Sequence, residues 1–172
     1  MDVEAEIPEE EWPTWMREAM AREPAGVPVL DELGGMFVQG YHRDVLLERG
    51  VAYPKVAPDP GGWGLLDAPK GCFRNATLAV FDRPLLQKVE QRLTYVEGYA
   101  FCEGVPFPVH HAWVVTPDDL VVDSTWPAGS GRDYFGIPFG EEELRTLLLR
   151  SEEFGVLDLL WRHDWAREHF GL

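Results

Sequence analysis

Val109-His110-His111-Ala112-Trp113-Val114-Val115-Thr116, followed after Pro117-Asp118-Asp119 by Leu120-Val121-Val122-Asp123-Ser124-Thr125-Trp126, is the stretch that decides how this chain is read. Both runs are rich in β-branched and aromatic residues, and the Pro-Asp-Asp between them is turn chemistry, so they predict two adjoining antiparallel strands. Successive side chains on a strand point to opposite faces, which sends His110 and His111 apart. Only one of the two can share a site with groups on a given face. Upstream, residues 93–102 predict a third strand, and residues 134–139 an edge strand.

Helices surround this sheet in the sequence pattern. Residues 72–80 read as a helix that begins at Cys72, directly after Gly71, and residues 84–92 as its continuation or a second short helix after Asp82-Arg83-Pro84. The triplet Asn75-Ala76-Thr77 has the form of a glycosylation acceptor but falls inside that helix. Before it, Pro54, Pro58, Pro60, Gly61, Gly62, Gly64 and Pro69 predict a loop without regular structure. Leu30, Leu33, Phe37, Tyr41, Val45 and Leu46 recur at helical intervals, with Gly34-Gly35 as a weak middle and Gly50 as the end. Trp12, Trp15 and Met16 mark a short acidic-capped helix near the start, separated by Pro24 and Pro28. Residues 141–150 and 156–170 read as two further helices with Leu144, Leu147, Leu148, Leu159, Leu160 and Trp161 toward the core; Trp161 and Trp165 stand four apart, as on one packed helical face. Helices and antiparallel strands in separate runs give an α+β class, with residues 1–172 as one domain carrying N-terminal and C-terminal helical additions.

Composition narrows the function classes. A chain of 172 residues, 45% hydrophobic, is one domain with a sizeable core. Thirty Asp and Glu against fifteen Lys and Arg leave a net charge of −15, which repels phosphate backbones and anionic lipid, so neither nucleic acid nor membrane is an expected partner. Two cysteines thirty positions apart match neither a disulfide scaffold nor a paired-thiolate zinc site, and fit a reducing cytoplasm. The opening MDVEAEIPEEEW lacks the basic and apolar regions of a secretion signal, and no run has the apolar length of a membrane span.

Chemistry concentrates on three residue types. A thiol at a helix start, Cys72, lies beside unpaired backbone N–H groups that favour thiolate and can receive negative charge developing on a substrate oxygen. A strand histidine, His111, can take the thiol proton and return it to a leaving group, and Asp123 on the neighbouring strand can hold the imidazole tautomer. Taken singly, Cys72 reads as a small buried hydrophobe, His111 as a structural histidine and Asp123 as a turn cap before Trp126. Together they form a nucleophile, a base and an orienting acid.

His111-Ala112-Trp113-Val114-Val115 and Val122-Asp123-Ser124-Thr125-Trp126 resemble the transglutaminase-like branch of the papain-fold cysteine enzymes. In that family the nucleophilic cysteine opens a helix packed on an antiparallel sheet, the histidine lies in a strand motif like His-Ala-Trp, and the aspartate in a motif like Asp-Pro-Thr-Trp. His111 follows Cys72 by thirty-nine positions and Asp123 follows His111 by twelve, which suits the arrangement. The resemblance spans about residues 70–127 and implies Cys72 as nucleophile, His111 as base and Asp123 as acid, with Ser124 where the motif has proline. It implies a papain-like fold and a cysteine-dependent hydrolase or acyltransferase acting on an amide, ester or thioester of a peptide, protein or small molecule, without a cofactor.

Around this triad, Trp63, Tyr99, Trp113 and Trp126 are candidate substrate-binding residues, with core packing the competing role for Trp113 and Trp126. Glu97 is a possible supporting group, or else a salt-bridged or surface glutamate, with His110 as a candidate partner. The Cys72 backbone N–H is the first oxyanion donor, and the second comes from the Trp63 loop or from the strand with Tyr95 and Tyr99. A metal site of His110, His111, Asp123 and a cysteine is the inorganic competitor, and the opposite facing of the two histidines counts against it. The rival to turnover is a binding or structural protein on the same fold, docked to a protein partner; an amide-forming biosynthetic enzyme is a third reading.

Overall fold

The structure is a computed structural model that describes residues 40–58, 70–81 and 92–171. The expected helices around Trp12 and after Pro84, the part of the third before residue 40, and the loop of residues 59–69 with Trp63 lie outside the described residues, as does the side chain of Trp161. The described elements run α1 (Gly40–Arg49), β1 (Val51–Tyr53), α2 (Cys72–Phe81), β2 (Thr94–Cys102), β3 (Val109–Val115), β4 (Val121–Val122), β5 (Gly131–Phe139), α3 (Glu141–Ser151), α4 (Leu159–Arg162) and α5 (Asp164–Phe170). The class is α+β.

The five strands form one antiparallel sheet in the order β1-β5-β2-β3-β4. The 134–139 strand is therefore longer than expected and not an edge: β1 pairs outside it, with Val51 opposite Gly136 and Tyr53 opposite Tyr134. Three residues between Gly50 and Pro54 are too short a run to show a period in sequence, which is why the outer strand was not legible. The strand expected at 120–124 is cut to Val121 and Val122, because the chain turns at Asp123. A bridge from Val56 to Val121 joins the segment after β1 to β4 at the opposite edge, through Ala57 N–H to Val121 O (2.7 Å) and Val121 N–H to Lys55 O (2.9 Å). The sheet thus curls until its two edges meet.

Curling gives the sheet an inner and an outer face. Tyr53, Val96, Ala100, Trp113, Val115, Val121 and Tyr134 make a compact aromatic cluster on one face. Within it Tyr53 of β1 meets Trp113 of β3, with β5 and β2 lying between them in the sheet order, at 6.1 Å between ring centroids. The larger core on the other face joins Tyr95, Tyr99, Ala112, Val114, Ile137 and Phe139 to the buried sides of α1, α2 and α3 and to Leu157, Leu159 and Leu160. Leu144 and Leu147 of α3 are buried, as their spacing predicts, with Leu148 partly so.

One expected helix is two. Residues 156–170 begin as a turn, and α4 and α5 are separated at His163, whose backbone is extended (φ −138°, ψ 122°). Trp161 and Trp165 consequently belong to different helices, so their four-residue spacing is not a spacing along one continuous helix. Glu97 anchors the start of this segment to the sheet: the backbone N–H groups of Val156 and Leu157 both donate to its carboxylate, at 2.5 and 2.9 Å.

Candidate active site

Cys72 is the first residue of α2, where the first N–H groups have no intrahelical acceptor. The turn before it places Lys70 in the left-handed region (φ 61°), and the Asn75 N–H closes the first turn onto Gly71 O at 2.7 Å. Cys72, Asn75, Ala76, Thr77 and Ala79 are the buried side of this helix. Asn75 and Thr77 are thus inaccessible as a glycosylation acceptor; the Asn75 side-chain amide instead donates to Thr125 Oγ1 at 3.1 Å, tying the helix to the turn after Asp123.

His111 lies on β3 opposite Gly98 of β2. Its Nε2 is 2.7 Å from Asp123 Oδ2, and its ring stacks on Trp126 at 3.8 Å with the planes 3° apart. Asp123 caps the turn that follows it as well as meeting the imidazole. Its Oδ1 accepts from the N–H groups of Thr125 (2.9 Å) and Trp126 (3.4 Å), while Oδ2 accepts from the Tyr134 hydroxyl at 2.9 Å in addition to the imidazole. Four donors therefore fix one carboxylate whose exposure is only 5%.

The electrostatics follow from that geometry. Burial alone opposes an imidazolium, but the hydrogen bond to Asp123 and the interaction with Cys72 outweigh it and raise His111 to about 9. Burial likewise works against the Asp123 carboxylate, and the bonds from His111, Thr125 and Tyr134 nonetheless hold it below the ordinary aspartate value. Tyr134 is pushed upward, first by burial and then by the Asp123 charge, so it stays a donor. Since Nε2 of His111 is taken by Asp123, Nδ1 is the nitrogen left for a further partner. The structure thus pairs His111 directly with Asp123, and Cys72, at the start of α2, acts electrostatically on the same imidazole.

The remaining expected site residues divide. Trp126 is half-buried over His111 and forms one wall of the group. Trp113 is 1% exposed and packs in the inner aromatic cluster, which leaves it no surface for a substrate in this state. Tyr99 is equally buried and stands with His42 and His110 across β3 from His111, its hydroxyl 2.9 Å from His42 Nδ1. Glu97 is not a surface residue: it is fully buried, accepting from the Tyr95 hydroxyl (2.7 Å) and meeting His110 Nε2 at 2.9 Å. Burial acts to raise its pKa, and the His110, Tyr95 and Val156 bonds bring it below the usual glutamate value. The phenols of Tyr95 and Tyr99 are engaged by Glu97 and His42, so neither is a ready second oxyanion donor.

Sequence reasoning gave Tyr134, Thr125 and Asn75 no part in the site. Thr125 stands within the quoted Asp-Ser-Thr-Trp motif, but its hydroxyl acquires meaning only when α2 brings Asn75 against it. Tyr134 is separated from Asp123 by a turn and carries no local signal of contact. No family model, no curated protein and no solved structure matches this chain. No helix among the described residues is long and apolar enough to cross a membrane.

Proposed function

We propose that the protein is a cysteine-dependent hydrolase or acyltransferase of papain-like, transglutaminase-like design, with Cys72 as nucleophile, His111 as acid and base, and Asp123 as the orienting carboxylate. The observation that supports this reading is the buried His111–Asp123 pair at 2.7 Å, whose imidazole is drawn toward its charged form by Asp123 and by Cys72 at the start of a helix. Proton transfer from sulfur to His111 gives a thiolate–imidazolium pair, which Asp123 supports electrostatically. The thiolate attacks an amide, ester or thioester carbonyl; a carbon–sulfur bond forms, the leaving group takes the His111 proton, and an acyl-thioester is left on Cys72. Water or an amine, deprotonated by His111, then displaces the sulfur and returns the thiol. Backbone N–H groups at the start of α2 are placed to receive the transient oxyanion.

The test is the rate at which an alkylating reagent modifies each cysteine, read by intact mass. Cys72 should react at least tenfold faster than Cys102, and His111→Ala should remove that advantage. Equal, slow modification of both thiols in the folded wild type would point to a binding or structural protein that keeps the fold without turnover.

A further inference from the structure

A second cluster of ligating side chains lies across β3 from the Cys72 group. His42 from α1, His110 from β3 and Asp158 from the turn before α4 each direct one ligating atom into a common space, all within 4.8 Å of one another. His42 Nε2 is 3.3 Å from Asp158 Oδ1, and His110 Nδ1 is 3.9 Å from the same oxygen. Three elements distant in sequence, at positions 42, 110 and 158, supply one atom each.

The His110 proton is already arranged for metal binding, and His42 reaches the same arrangement by donating from Nδ1 to the Tyr99 hydroxyl oxygen. His110 Nε2 meets the buried Glu97 carboxylate at 2.9 Å, so its hydrogen belongs on Nε2 and the lone pair on Nδ1. His42 Nδ1 meets the Tyr99 hydroxyl at 2.9 Å, which leaves Nε2 as the inward atom. That Nε2 belongs to a side chain with 0% exposure and faces Asp158 Oδ1 at 3.3 Å without the alignment of a good hydrogen bond. A buried ring nitrogen left in that condition costs free energy unless something accepts its lone pair. Asp158, although it stands at the N-cap of α4, makes no side-chain capping bond; its carboxylate is given to the histidines instead. Histidine ligands whose far nitrogen is held by a carboxylate or another polar group are the usual outer support of a metal site.

We propose that His42 Nε2, His110 Nδ1 and Asp158 Oδ1 bind a divalent first-row transition metal of the zinc type, with Glu97 and Tyr99 orienting the two imidazoles. Two imidazoles and one carboxylate match the donor preference of zinc, and a tetrahedral ion at ~2.0–2.1 Å needs its donors roughly 3.3 Å apart. The 3.3 Å pair already meets that spacing, and the wider ones close by small rotations of His110 and the Asp158 side chain. Asp158 is 40% exposed and the His110 side chain 15%, so an ion can enter from solvent and keep water in its fourth position. The metal pins α1 and the turn before α4 onto β3. It is independent of the Cys72 chemistry, and differs from a site made of His111, Asp123 and cysteine.

The experiment is titration of the full chain, stripped with chelator and dialysed, with Co2+ alone, followed by its visible d–d absorption and by displacement with Zn2+. One Co2+ per chain is expected, with no sulfur-to-metal charge-transfer band, and a higher melting temperature in its presence. Asp158→Asn, at a partly exposed position, should weaken binding at least about tenfold, His42→Gln similarly, and Glu97→Gln by about tenfold through the imidazole it orients. Cys72→Ser should bind as the wild type does. No saturable Co2+ absorption, full affinity in a folded Asp158→Asn chain, or a charge-transfer band lost in Cys72→Ser would each overturn the site, the last by placing the metal at the other group.

Discussion

Asp123 shows how much one side chain can be asked to do. Its two oxygens share four donors, two from the backbone turn that follows and two from His111 and Tyr134. Replacing it with Asn preserves the shape and removes the charge, so Asp123→Asn should slow Cys72 alkylation by ~10²–10⁴, while Tyr134→Phe, which removes one of four bonds, should have a far smaller effect on the same rate. The pair also makes stability depend on pH in a stated direction. Asp123 is depressed below 3.8, so its contribution is present above that value and lost as pH falls through the folded pKa. His111 is raised from 6.5 to about 9, so its contribution is full below 6.5 and lost as pH rises through about 9. Urea midpoints measured across pH should fall at both ends, and His111→Gln should flatten the alkaline fall. An alkaline limb unchanged in His111→Gln would assign it to another group. His111 and Asp123 were legible because each lies in a short strand motif of distinctive type; Tyr134 was not, because a tyrosine in a strand carries the same local signal whether its hydroxyl meets solvent or a carboxylate.

At the scale of elements, β2 holds the molecule together from both sides. It pairs with β3 and β5, and at Gly98 the approach is closest: an added Cβ would stand 2.2 Å from Phe135 O and 2.4 Å from Gly136 Cα. Backbone cannot yield as a flexible side chain does, so Gly98→Ala should cost about 1–3 kcal/mol or more in urea unfolding. The same glycine leaves space opposite His111. One position earlier, Glu97 ties the turn at Val156 and Leu157 to the sheet, and with it the start of α4. Glu97→Ala strands two backbone N–H groups and the Tyr95 hydroxyl in the core, an expected loss of ~3–5 kcal/mol by the same measurement. A loss under 1 kcal/mol would mean that water replaces the carboxylate. Two elements differ from the sequence pattern. The helical period over residues 156–170 is real, but the extended backbone at His163 divides it. The outer strand β1 exists because β5 offers it an edge, not because Val51-Ala52-Tyr53 has a strong strand pattern of its own.

At the scale of the molecule, the net charge of −15 sets the field in which any site operates. A cationic thiol reagent should modify Cys72 faster than an anionic reagent of equal intrinsic reactivity at low ionic strength, and the ratio should approach one as salt rises past the physiological range. A salt-independent ratio would mean that local groups, not the whole-molecule charge, control access. What the sequence by itself determined is the part governed by local chemistry: the α+β class, the helix beginning at Cys72, the paired strands around Pro117, and the opposite facing of His110 and His111. Alternation, turn residues and helix-start signals act over a few positions and can be read from them. Only the tertiary structure decided that the sheet curls until Val56 meets Val121, that Trp113 and Tyr99 are buried, and that Tyr134 reaches Asp123. The same holds for His42, His110 and Asp158, because side chains so far apart along the chain become neighbours only when burial of the two hydrophobic clusters has brought their elements together.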